Sequence, residues 1–328
     1  MLAKVAERIY WTARYLERIE NTARIINVYD QLLYDLPTEV NISWYSLIEL
    51  SGLEPTYKAI GDSRLESDVV HFLISDTHNP GSIICNLNMI RENVRTTRDV
   101  LPEQTWEQVN EFSHYLKTHL ADGKDRKSRH SFLKHIVGRC QRLHGLLYSS
   151  MSRDNAWHFL CLGRDLERAD MATRTVESGA TALIVENGDA SINLHQVVWG
   201  HVLRSAEASG SYRKTIQGPV SGEDVTHFML SDDQFPRSAA FSLRSIQAGA
   251  SILPRGDKLS EQTLNILINS LANSAKSRTP IELREYLDGL QIEINELHWI
   301  ITKLWFGYQQ FELEALEVEQ SVELAPIA

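Results

Sequence analysis

Apolar residues recur every three or four positions along most of the chain, and no stretch sustains the period-two alternation of a half-buried strand. Leu16, Ile19, Ala23 and Ile26 share one side of a helix that the pattern runs from about residue 2 to 35. Pro37 stops it by disfavouring helical backbone at Leu36. The same spacing predicts helices over 42–51 and 67–74, one opening with Pro80 in its first turn and ending near Leu101, and two more over 103–120 and 130–151. Residues 121–129 are polar and charge-rich, which predicts an exposed loop. From Asp154 the plan starts again, with a break at Asn187-Gly188 and further helices near 238–253, 260–275 and 281–306. The expected fold class is all-α.

The second half repeats the polar positions of the first. Arg14, Glu17, Arg18 and Arg24 reappear 150 residues later as Arg164, Glu167, Arg168 and Arg174. Trp44 and Tyr57 match Trp199 and Tyr212 at a spacing of 155. The segment 68–82 matches 224–238 at a spacing of 156, with eight of fifteen residues identical, among them His71/His227, Asp76/Asp232 and Ser82/Ser238. A period near 150 predicts a duplicated helical bundle with two pseudo-twofold-related halves, 1–151 and 152–310, followed by an acidic tail, 311–328. No Pro- or Gly-rich linker separates the halves near residue 151, which favours one compact domain.

At about 100° per residue, Arg14, Glu17, Arg18, Asn21 and Arg24 fall within roughly 120° of helix surface. A charged stripe is ordinarily a solvated face. Its appearance in both halves instead points to specific partners, with the two stripes meeting across the interface and holding a bound anion or forming an internal ion-pair lattice. Arg14, Arg18, Arg24, Arg164, Arg168 and Arg174 are therefore candidate ligand-binding residues. Arg91 and Arg95, with Arg98, add a basic helix face that the second half lacks. Ser82 and Ser238 occupy positions suited to helix capping or to anion binding at a helix start, where Arg237 replaces Gly81. Glu17 or Glu167 would serve as general base if the chain were an enzyme.

Composition narrows the chemistry. The 328 residues are 43% hydrophobic and 23% charged, with a net charge of −10, which argues against a general nucleic-acid binder. Three cysteines lie far apart, so a reducing cytoplasm is expected, and no stretch is apolar enough to span a bilayer. Asp68/His71, Asp224/His227 and Glu111/His114 have one-turn carboxylate-histidine spacing. The inward glutamates that helical di-metal sites require cannot be assigned, and neither a metal nor a cofactor is expected. No phosphate loop, dinucleotide loop or nucleophile motif is present.

The ordered set Ala6 to Arg24, Asn79-Pro80-Gly81-Ser82, Arg91 to Arg95, Gly163 to Asp170 and Phe235-Pro236-Arg237-Ser238 resembles the alpha-E family over nearly the whole chain outside the acidic tail. The resemblance implies an all-helical bacterial protein, cytoplasmic, whose gene neighbours a circularly permuted ATP-grasp protein and a transglutaminase-like peptidase. ATP-grasp proteins join carboxylates to amines, so the implied setting is a peptide or amide-bond-forming pathway. Within it the chain would bind an anionic or peptide ligand, or the ATP-grasp partner, through the Arg/Glu faces. The alternative is a self-contained acyl- or aminoacyl-transferring enzyme.

Overall fold

The computed structural model describes residues 1–35, 43–184, 192–274 and 276–307. The expected stop at Pro37, the Asn187-Gly188 break and the acidic tail lie outside the described residues. Among those described there is no strand, and the molecule is all-α. In chain order the helices are α1 (Ala3–Asp35), α2 (Ser46–Ser51), α3 (Glu54–Ile60), α4 (Glu66–Ile74), α5 (Ile83–Thr96), α6 (Gln104–Thr118), α7 (Leu120–Lys124) and α8 (Arg126–Ser150). They continue with α9 (Asn155–Ile184), α10 (Ile192–Ser205), α11 (Ser209–Thr215), α12 (Gly222–Ser231), α13 (Ala239–Ile252), α14 (Asp257–Asn265) and α15 (Pro280–Trp305).

The long helices form two packed sets. α1 lies against α5 and α8, α9 lies against α13 and α15, and α1 and α9 lie against each other. Two apolar cores result. One gathers Leu16, Ile19, Phe72, Leu87, Phe112 and Leu143. The other gathers Leu166, Val176, Phe228, Leu243, Ile246 and Leu297. The start of each central helix reaches into the opposite core, with Tyr10 packed among second-half residues and Trp157 among first-half residues. At this crossing the backbones touch: a Cβ on Gly163 would lie 2.2 Å from the carbonyl oxygen of Tyr10, so only glycine fits.

Three expectations are corrected. The supposed loop at 121–129 is helical, formed by α7 and the first turn of α8. Arg129 explains it: buried to 2% exposure, its guanidinium donates to Glu66 Oε1 at 2.8 Å and to the carbonyls of Gly123 and Lys124, which ties the connection to the core. Pro80 precedes its helix instead of opening it. The α5 N-cap is Ser82, whose hydroxyl accepts from Cys85 N–H. α5 also stops at Thr96 rather than near Leu101, and Thr97 is its C-cap. After residue 265 the helical path changes pitch, to a π turn over Ile266–Ser270 and a 3₁₀ turn over Leu271–Asn273.

Candidate functional site

The charged faces of α1 and α9 are turned inward. Glu17 and Glu20 are fully buried, Glu167 is 2% exposed, and Arg14 and Arg24 are also buried. Each central glutamate meets arginine from the opposite helix. Glu167 Oε2 accepts from Arg14 Nε at 2.8 Å and from Arg18 Nη2 at 3.0 Å, and Glu167 Oε1 accepts from Arg18 Nε at 2.8 Å. Reciprocally, Glu17 Oε1 accepts from Arg168 Nε at 2.6 Å. Such charge-assisted bonds are the stronger kind, and they offset the cost of removing the ions from water.

The two nodes differ in what else enters them. At Glu17, Arg237 reaches in from the start of α13, donating to Glu20 Oε1 at 2.6 Å, to Asn21 Oδ1 at 3.2 Å and to Glu17 Oε2 at 3.4 Å. Arg24 donates to the same Glu20 oxygen at 2.9 and 3.0 Å and to Glu207 at 2.6 Å. His144 Nε2 stands 3.3 Å from Glu17 Oε1. Little space is left, about 20 Å³, beside Arg168 and Arg237. Glu17, Glu20 and His144 are close enough to share a cation. Arg24, Arg168 and Arg237 already neutralise the two carboxylates, however, and although Glu20 Oε2 and His144 Nε2 accept no hydrogen bond, the charge a metal would need is spent and the set fits one poorly.

At Glu167 the position corresponding to Arg237 is Gly81. Here a cavity of about 270 Å³ opens, bordered by Arg14, Arg18, Arg174, Glu167, Asp170 and His298. Its other walls are mostly apolar, including Ile25, Leu47, Leu50, Leu53, Leu166 and Ile294, with Thr22, Ser51 and Asn295 among them. Arg174 donates to Asp170 Oδ2 at 2.8 Å, so three guanidiniums face two carboxylates. Behind them Tyr10 hydroxyl is 2.8 Å from His298 Nδ1 and accepts from Arg14 Nη1 at 3.4 Å.

Burial and pairing set the protonation states. Burial alone would push Glu167 up, but Arg18 and Arg14 together hold it down at about 2. Glu17 responds the same way, burial being outweighed by Arg168, Arg237 and His144, and it stays well below the ordinary carboxylate range. Burial pushes Tyr10 up to about 12 and, with Arg14 nearby, pushes His298 down to about 4. At neutral pH Glu17 and Glu167 are therefore ionised, while Tyr10 and His298 are neutral.

The remaining sequence candidates are dispersed. Arg164 turns to Asp165, at 2.7 and 3.0 Å, instead of crossing to Glu17. Asp165 also accepts from Ser245 at 2.6 Å. Ser82 and Ser238 are fully buried N-caps of α5 and α13. Arg91 and Arg95 lie on the exposed face of α5, Arg91 bonded to Asn110 and Arg95 to Glu92, and neither borders the cavity. Tyr10, His144, Asp170 and His298 were not singled out from sequence. The spacing of 154 between the two histidines was the available signal, hidden because neither sits in a recognisable motif.

Residues 1–306 match the sequence pattern of the Alpha-E family, described as "a predicted alpha-helical domain with a conserved ER motif". Relatives include the uncharacterized proteins Mb2597 of Mycobacterium bovis and MT2643 and Rv2567 of Mycobacterium tuberculosis. Each is 26% identical over 316 residues, covering 90% of this chain and 34% of its own length. The chain thus spans about a third of the length of the curated relatives it matches. No solved structure matches. No described helix is long and apolar enough to cross a membrane.

Proposed function

This chain belongs to the Alpha-E family, and from that premise we propose that it binds a carboxylate-bearing ligand in the cavity beside Glu167, as the helical component of an ATP-grasp-linked peptide or amide-bond-forming pathway. The observation that carries the reading is the pairing of three guanidiniums with only two carboxylates in a hollow of about 270 Å³ whose remaining walls are mostly apolar. Arg14 and Arg18 are oriented by Glu167 and keep N–H groups to offer, so a guest carboxylate would meet donors already in place. The apolar walls add affinity for a hydrophobic body behind the charged group.

The partner in this reading is a circularly permuted ATP-grasp protein, with a transglutaminase-like peptidase in the same pathway. That the similar region makes up a third of longer mycobacterial proteins is compatible with a module that works beside another polypeptide, whether joined to it or separate. The two helical repeats would act as one compact unit, since the ligand would touch residues of both. A general-base role for Glu17 or Glu167 gains no support, because a carboxylate held near 2 accepts a proton poorly at neutral pH.

Calorimetric titration of the full chain with N-acetylleucine, a carboxylate with an apolar side chain, tests the reading. Binding that falls at least tenfold in Arg18→Gln is expected. Absence of binding, or equal binding by the folded variant, overturns it.

A further inference from the structure

A second cavity, of about 350 Å³, adjoins the first: Ile25, Leu47 and Leu50 line both. Its lining is more acidic. Glu49, Glu54 and Glu177 border it against Arg64 and Arg284; Glu54 also pairs with Lys58 at 3.2 Å and Glu177 accepts from Gln291 at 2.8 Å, which leaves Glu49 as the acidic group best able to receive a guest cation. Those arginines are partly engaged, Arg64 standing 4.8 Å over the Tyr45 ring and Arg284 3.6 Å from Glu177. Where the two cavities adjoin, Ile25, Leu47 and Leu50 make an apolar stretch, while Ser46, Thr175 and Ser178 add hydroxyls to the wall of the second.

We propose that the two cavities form one elongated site for a short zwitterionic peptide, its carboxylate among Arg14, Arg18 and Arg174 and its ammonium among Glu49, Glu54 and Glu177. The inference rests on the carboxylate reading above and extends it to a class of ligand. Length agrees with this assignment. Glu167, which holds Arg14 and Arg18, and Glu177 lie ten residues apart on α9, with Arg174 between them, about 15 Å at the helical rise. An extended peptide covers that in about four residues. Chemistry agrees as well. The Glu49 side chain accepts no hydrogen bond among the described residues, and partial burial followed by the nearness of Glu54 pushes its carboxyl group up. An ammonium seated there would relieve that repulsion. The apolar stretch over Leu47 and Leu50 favours aliphatic side chains along the middle of the peptide.

The test is calorimetry on the full chain with the tetrapeptide Leu-Leu-Ala-Ala in three forms: free, N-acetylated and C-amidated. The free form is expected to bind, and each modification is expected to weaken it at least tenfold. Glu49→Gln, a change at an exposed side chain, should narrow the gap between free and N-acetylated forms while leaving the amidation penalty intact. If the N-acetylated peptide binds as well as the free one, the ammonium subsite is overturned and the carboxylate reading survives. If the amidated peptide binds as well, the carboxylate reading fails with it. Binding of N-acetylleucine but of no tetrapeptide overturns the peptide assignment alone.

Discussion

Glu17 and Glu167 occupy matching places in the two stripes, yet one is sealed and the other borders a cavity. The difference comes from a single pair of positions. Where α13 begins, Arg237 projects onto Glu17 and Glu20; ahead of α5, Gly81 projects nothing. A hypothetical Cβ on Gly81 would already come within 2.8 Å of a Leu53 methyl, so the space beside it is contested by a flexible side chain and not by backbone. The comparison teaches that the same buried glutamate becomes scaffold or ligand site according to whether the fold fills the space beside it with a further guanidinium or leaves that space open to a guest.

The largest expected effect breaks the sealed node. Arg237→Gly leaves Glu20 and Asn21 short of a donor in the interior and should cost about 3–5 kcal/mol, read by denaturant unfolding. Arg18→Gln removes a cation whose side chain is 30% exposed, with Arg14 still on Glu167 and water able to enter, so a loss of about 1–2 kcal/mol is expected. Equal losses would abolish the contrast.

Next comes pH. His298 has its folded value near 4 against 6.5 for a free imidazole, so the unfolded chain takes up the proton first. Its contribution is intact above about 6.5 and is lost as pH falls towards 4, amounting to at most about 3 kcal/mol. His201, held near 4 by burial, works in the same window. Glu167, lowered from 4.5 to about 2, contributes stability above 4.5 that disappears as pH falls towards 2. Unfolding curves from pH 7 to 4 should therefore slope upward with pH, and His298→Gln should flatten the slope without removing it. An unchanged slope would remove His298 from the account.

Gly81→Arg sharpens the comparison from the other side. The new guanidinium should fill the open cavity as Arg237 fills its counterpart, weakening N-acetylleucine at least tenfold at a cost in stability of about 1–3 kcal/mol as Leu53 gives way. The smallest effect belongs to Arg95→Ala, which breaks an exposed pair with Glu92; ligand binding and melting temperature should both stay within experimental error.

The helix pattern and the inward facing of the two stripes were legible because both are written in local periodicity. α1 begins within one residue of its expected start, and Glu17 and Glu167 meet arginines of the opposite helix. What remained hidden depends on long-range packing. Arg129 looked like part of a solvated loop because its partners Asp30 and Glu66 are distant in sequence. Arg164 looked interchangeable with Arg14, but Asp165 sits beside it where the first half has Tyr15, and the nearer carboxylate captures it. The replacement of Gly81 by Arg237 was visible as a substitution, whereas its effect on the shape of the interior was not.

The contact between Gly163 and Tyr10 has a mechanical consequence. With the two backbones touching, α1 and α9 have no clearance in which to draw closer, and sliding by one turn would shift them about 5.4 Å, enough to sever every cross-helix bond at both glutamates. The pair behaves as a keyed shaft. Widening that admits a guest is left to the short α2 segment carrying Leu47 and Leu50, which meets α9 through apolar contacts and a long hydrogen bond from Arg174 Nη1 to the Leu50 carbonyl at 3.4 Å.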